Sequence, residues 1–160
     1  PLIPPNTGNI ARTCAGTNTK LHLIEPLGFK TTDKALKRAG LDYWHELDLT
    51  YHRNLRSFLQ AIDTRHLYLV SKFAYHTYAD IDYRDTDKDY YFIFGKETTG
   101  LPEKFMHDYA DKCIRIPMDD SHVRSFNLSN SANIVLFEAL RQQDFAGLEK
   151  VHAYPHDKLK

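Results

Sequence analysis

The sequence has little of what metal and redox chemistry needs. Its two cysteines, Cys14 and Cys113, are too few and too far apart for a CxxC motif. They read as small buried hydrophobes, a usage that fits a reducing cytosol. HExxH is absent, so the nine histidines are expected to be scattered over the surface, with no metal bound. No apolar run approaches the ~18 residues that span a bilayer, so no membrane is expected as a partner. The opening Pro1-Leu2-Ile3-Pro4-Pro5 has no basic segment followed by an apolar one, and no signal peptide is expected there. Internal repeats, low-complexity tracts and linkers are also missing. A Walker A loop and GxGxxG are absent, which removes the usual nucleotide hydrolases and dinucleotide oxidoreductases.

Net charge is missing too. Lys+Arg and Asp+Glu each number 21. A phosphate-binding surface needs local positive charge rather than a basic whole. Lys34, Lys37 and Arg38 form one such group, and His52 with Arg53 another. Each also fits an ordinary solvated helix face or loop.

What is present is one domain's worth of chain, 160 residues with 42% hydrophobic, enough for an ordinary core. Short apolar runs predict strands at Leu21–Glu25, Leu67–Ser71, Tyr90–Phe94 and Cys113–Ile116, with a weaker one near Glu46–Thr50. Helices are expected at Gly8–Thr17, Asp33–Ala39, Leu55–Ile62, Pro102–Tyr109 and Ser129–Gln143. Asp33 and Gly40 suit the ends of the second, and Pro102 suits a first turn. In the last helix Ile134, Phe137 and Leu140 mark an apolar face, which makes Phe137 a core position. Strands alternating with helices imply a mostly parallel α/β sheet that binds ligands at the carboxyl ends of its strands. The chain starts before any strand that could lead into Asn6, so a further N-terminal strand is expected to complete the sheet.

Three segments carry the chemistry. Asn6–Arg12 is read as a loop entering a helix, where Gly8 permits close backbone approach and Arg12 lies one turn in. Phe94–Pro102 follows a strand and frames a polar turn with Gly95 and Gly100. Ile116–Ser131 ends in Arg124–Ser131, which packs five Ser and Asn residues at the start of the longest helix, more than a simple cap needs. Taken singly, each segment is also consistent with a cap or turn.

Together they resemble the signature motifs of the SPOUT, or α/β-knot, RNA methyltransferases. NTGNIAR resembles the first motif, FGKETTGLP the second, and IRIPM…RSFNLSNSANIVLFEALRQ the third. The resemblance covers essentially the whole chain. His22–Phe29 (HLIEPLGF) and Lys37–Trp44 (KRAGLDYW) are similar to the small tRNA (cytidine/uridine-2′-O)-methyltransferases of the wobble nucleotide.

The resemblance implies a deep C-terminal trefoil knot, an exception to the rule that chains avoid knots. It implies S-adenosylmethionine as cofactor, a homodimer, a tRNA anticodon stem-loop as substrate and a cytoplasmic location. By position it implies cofactor contacts at Val70, Gly95, Ile116 and Ser125, with backbone from Glu97, Gly100, Met118 and Leu128. Arg12 matches the family's catalytic arginine, and Asn6, Asn127 and Ser129 its polar active-site residues. Arg12, Lys34, Lys37, Arg38, His52 and Arg53 are the expected RNA contacts. Close relatives often carry Tyr at the position of Phe137. Two further readings stay open: an enzyme of this class acting on ribosomal RNA, and a knotted RNA-binding protein without catalysis.

Overall fold

The computed structural model describes residues 1–30, 43–156, 158 and 159. The expected helix Asp33–Ala39, with its cap Asp33 and its stop Gly40, lies outside them, as do Lys34, Lys37 and Arg38. The first helix, α1, runs Pro4–Gly16 and so contains the whole Asn6–Arg12 segment. That segment is a helical face, not a loop. The helix starts earlier than expected because Pro4 and Pro5 fall in its first turn, where a missing N–H costs nothing.

The strands are β1 (Leu21–Ile24), β2 (Leu49–His52), β3 (Leu67–Val70), β4 (His76–Thr77), β5 (Tyr91–Phe94) and β6 (Cys113–Arg115). The weak strand expected near Glu46 begins three residues later, behind a 3₁₀ turn at Trp44–Glu46. The remaining helices are α2 (Leu55–Ala61), α3 (Glu103–Asp108) and α4 (Leu128–Gln142). A reciprocal Asn54–Ser57 capping box starts α2.

All strand pairs are parallel. β1 pairs β2, and a second sheet has the order β4-β6-β3-β5. Side-chain alternation along β3 and β5 divides the core. Leu67, Leu69 and Ile93 pack with Phe58 of α2 and Phe105 of α3. Tyr68, Val70, Phe92 and Phe94 pack with Ile114, Ile116 and Val135 of α4. Helices therefore cover both faces, as parallel sheets require. Both cysteines are buried, and burial pushes the Cys14 thiol up to about 11.

The apolar face expected of α4 is displaced. Its buried stripe is Ser129, Ala132, Val135 and Ala139. Phe137 and Ile134 are 46% and 37% exposed, so Phe137 is not a core residue. Small residues let α4 lie close against α1 and β5, and the large apolar ones turn outward.

Among the described residues, β1 and β5 each keep one unpaired edge. The whole of Leu21–Ile24 and the whole of Tyr91–Phe94 line one cleft of about 1570 Å³. Three buried polar atoms without a partner belong to residues lining the same space: Thr7 Oγ1, His22 Nε2 and Asn133 Oδ1. Among the described residues no helix is long and apolar enough to cross a membrane.

Candidate active site at the junction of three motifs

Pro4 and Pro5 carry no N–H, Asn6 N and Thr7 N donate to Ile3 O, and no side chain caps the helix, because Ile3 stands at the N-cap position. The backbone N–H groups just ahead of the helix find their acceptor far away in sequence. The Glu97 carboxylate accepts from Leu2 N at 2.7 Å, Ile3 N at 3.0 Å and Asn6 Nδ2 at 3.1 Å. Burial pushes this carboxyl up, but the donors from Leu2, Asn6 and Ile3 outweigh it and leave it below the usual glutamate range. A negative charge at a helix start also meets the positive end of the dipole.

The chain of bonds continues into the third motif. Asn127 Nδ2 donates to Asn6 Oδ1 at 3.0 Å. Asn127 Oδ1 accepts from Ser129 Oγ at 2.7 Å and from Ser129 N at 2.9 Å, capping α4. Glu97, Asn6, Asn127 and Ser129 thus form one relay across all three motifs. Asn6 and Ser129 are buried, so these bonds have little competition from water. Glu97, expected as a cofactor contact, has its side chain committed to the start of α1.

Gly95 and Gly100 close the second motif into a tight turn. Lys96 and Gly100 exchange backbone bonds of 3.2 and 2.9 Å. A Cβ at Gly95 would stand 2.0 Å from the Gly100 carbonyl carbon, so no larger residue fits. Gly100 has φ +70°, a left-handed conformation. Gly95, Gly100 and Leu128 line one rim of the cleft, together with Ser71 and Leu101. Val70 ends β3 and Ile116 is buried just beyond β6, both at the carboxyl end of the sheet. Met118 and Ser125 lie in the segment between β6 and α4. This rim combines backbone polar groups, apolar Leu101 and Leu128, and the unpartnered Asn133 amide oxygen nearby. Such a mixture fits a ligand with a flat apolar ring and polar edges, as adenosine has.

Arg12 is set apart from the relay. It is exposed, and its guanidinium lies 5.5 Å over the ring of Tyr43. The Tyr43 hydroxyl donates to Gly8 O at 3.1 Å, fixing the ring against α1. Tyr43 was not singled out from sequence, although it belongs to the GLDYW segment.

His52 is not available as an RNA contact. It is 6% exposed, and its Nε2 lies 2.8 Å from His22 Nδ1. Burial holds both imidazoles below their ordinary pKa; for His22, proximity to His52 adds to this. In β2 the side chain at position 52 turns inward, while neighbouring Arg53 is exposed. The expectation of surface histidines fails for this pair. His152 and His156 stand at HxxxH spacing, in irregular backbone. Among the described residues no group of three potential ligands could hold a metal ion.

The profile of the family described as the SpoU rRNA Methylase family matches residues 1–137. The chain belongs to this family. A SpoU relative from Lactococcus lactis, provisionally named tRNA (cytidine(34)-2′-O)-methyltransferase, is 64% identical over 100% of this chain and 95% of its own. A solved structure concerning 2-OH methylation of C/U34 on tRNA matches with TM-score 0.80 at 38% identity. It covers 90% of this chain and 91% of that one. An AdoMet-bound rRNA methyltransferase from Sinorhizobium meliloti matches with TM-score 0.74 at 25% identity, over 87% of this chain and 52% of that one.

Proposed function

We propose that this protein transfers a methyl group from S-adenosylmethionine to the ribose 2′-hydroxyl of the wobble nucleotide, cytidine or uridine 34, of tRNA. The observation that carries this reading is the relay from Glu97 through Asn6 and Asn127 to Ser129. It brings the polar residues of three distant motifs to one place, as an enzyme built on those motifs needs. The cofactor, when bound, supplies an activated methyl on a good leaving group. Gly95, Gly100, Ile116, Met118, Ser125 and Leu128 hold it at the carboxyl end of the sheet, with Val70 beneath.

What remains for the protein is alignment of the ribose oxygen and help with a weakly acidic proton. The exposed Arg12 orients the ribose and phosphate and favours negative charge developing on the oxygen. A guanidinium stays protonated, so it acts here as an electrostatic group and not as the base. Asn6, Asn127 and Ser129 keep the first motif in register with the cofactor rim.

The working unit in this reading is a homodimer in the cytoplasm. Exposed Ile3, Val123, Phe126, Ile134 and Phe137 offer apolar surface on or next to α1 and α4 for a second copy. The C-terminal segment is read as knotted, as in the SPOUT fold, and the two facing edges of β1 and β5 fit one further parallel strand. Arg12 and Arg53 supply phosphate contacts to the anticodon stem-loop.

Incubation with labelled S-adenosylmethionine and total tRNA, followed by mapping of the labelled nucleotide, tests this. Label on the ribose of nucleotide 34 is the expected result. Label in ribosomal RNA alone would replace the substrate, and no label in any RNA would leave a binding protein.

A further inference from the structure

The turn that leaves β3 carries two aromatic side chains with no packing role. Phe73 is 70% exposed and Tyr75 98% exposed. Between them Ala74 is 6% exposed and belongs to the core. The exposure is not that of a loose loop, because the turn is anchored on both sides. Ser71 N donates to Ile114 O at 2.9 Å, Phe73 N donates to Ser71 Oγ at 3.3 Å, and Ala74 N donates to Ser71 O at 3.3 Å. Immediately after it, His76 and Thr77 pair with β6. A rigid turn therefore presents two flat apolar faces to water.

The chemistry around these faces is cationic. Lys72 Nζ lies 5.2 Å from the centroid of the Phe73 ring. The stretch Ser71–Tyr78 contains Lys72 and His76 and no carboxylate. Its position matters as well. Ser71, Phe73 and Tyr75 line the same cleft as Gly95, Gly100 and Leu128. Aromatic faces beside a cation, next to a site for a nucleic-acid reaction, match the way proteins hold unpaired bases. A base within a duplex has both faces covered by its neighbours and cannot use such a platform; a loop base can.

We propose that Phe73 and Tyr75, with Lys72 beside them, form a stacking platform for unpaired bases of the RNA substrate. This rests on the reading of the protein as an RNA methyltransferase and adds the residues that select a single-stranded loop. The test uses Phe73→Ala, Tyr75→Ala, the double variant and Phe73→Trp, each assayed with a tRNA that the wild type methylates. Each alanine raises KM for tRNA by roughly 5- to 100-fold. kcat, S-adenosylmethionine affinity and the mass in sedimentation stay unchanged, and Phe73→Trp retains the wild-type KM. Unchanged KM in the double variant overturns the platform. A fall in sedimented mass overturns it in favour of a protein contact, and weakened cofactor binding overturns it in favour of a structural role. Fluorescence anisotropy with a labelled single-stranded RNA and its duplex separates this proposal from the enzymatic one. An inactive wild type would sink the enzymatic reading alone. The platform then stands if the double variant loses single-strand affinity and leaves duplex affinity untouched, and falls if it does not.

Discussion

The first turn of α1 and the cleft beside it lie on the same helix and obey opposite rules. At the start of α1, the Leu2 and Ile3 backbone and the Asn6 side chain find their acceptor in Glu97, and the Asn6 and Asn127 amides interlock. At the very next residue of the helix, Thr7 Oγ1 is buried with no partner, as are His22 Nε2 and Asn133 Oδ1 of the same cleft. A buried polar atom left unpaired costs about 1–3 kcal/mol. Such atoms persist where another group normally meets them, so the satisfied end reads as scaffold and the unsatisfied side as a place of encounter. Arg12, exposed further along α1, is not among the residues lining this cleft and stands over Tyr43.

The sharpest way to break this division is at the turn facing both regions. Gly95→Ala puts a Cβ against the Gly100 backbone, which cannot yield as a side-chain tip would. The expected outcome is destabilisation of about 3 kcal/mol in urea unfolding, together with loss of cofactor binding by calorimetry. Near-normal binding would show that the turn is not part of the cofactor rim.

Arg12 should give the next largest effect, confined to activity. Arg12→Ala is expected to lower methyl transfer by about 100-fold with unfolding unchanged, and Arg12→Lys to recover only part of it. Near-normal turnover in both variants would remove Arg12 from the chemistry.

Within the satisfied end, effects should be smaller and coupled. Glu97→Gln weakens the bonds to Leu2 and Ile3 and is expected to cost about 1–2 kcal/mol. Asn6→Ala combined with Asn127→Ala should destabilise by less than the sum of the single changes, since either alone breaks their shared bond. Strict additivity in a double-mutant cycle would mean the relay has no energetic unity.

The smallest effect is a pH dependence. His22 and His52 have pKa values lowered in the folded state, so the unfolded chain binds more protons below the ordinary value of 6.5. Their contribution is fully present above that value and is lost as pH falls through it. Thermal melts should shift downward between pH 7.5 and 5.5, and His52→Asn should flatten that slope. An unaltered slope in the variant would assign the acid sensitivity elsewhere.

Local sequence revealed five of the six described strands within one to three residues, because short apolar runs act locally, and missed the two-residue β4. It also marked the residues of the relay. It misplaced the start of α1, where Pro4 and Pro5 form the first turn and the backbone leading into them is held by Glu97, more than ninety residues away. It mistook His52 for a surface cation because it sits beside Arg53, whereas strand alternation turns it inward. It put Phe137 inside because spacing shows that a face is apolar but not which neighbour covers it. The outward aromatics Phe73 and Tyr75 carried no motif and emerge only from their exposure on an anchored turn.

The cleft between β1 and β5 has a thermodynamic consequence. Any extended segment that lies in it with its backbone paired to both edges would bind the folded state and not the unfolded one. Folding and strand insertion are then linked equilibria, and the stability of this chain becomes a function of how fully that lane is occupied. The two sheets would melt as one cooperative unit with the lane filled. Among the described residues, the rings of His22, Phe58 and Tyr91 already bridge the two sheets.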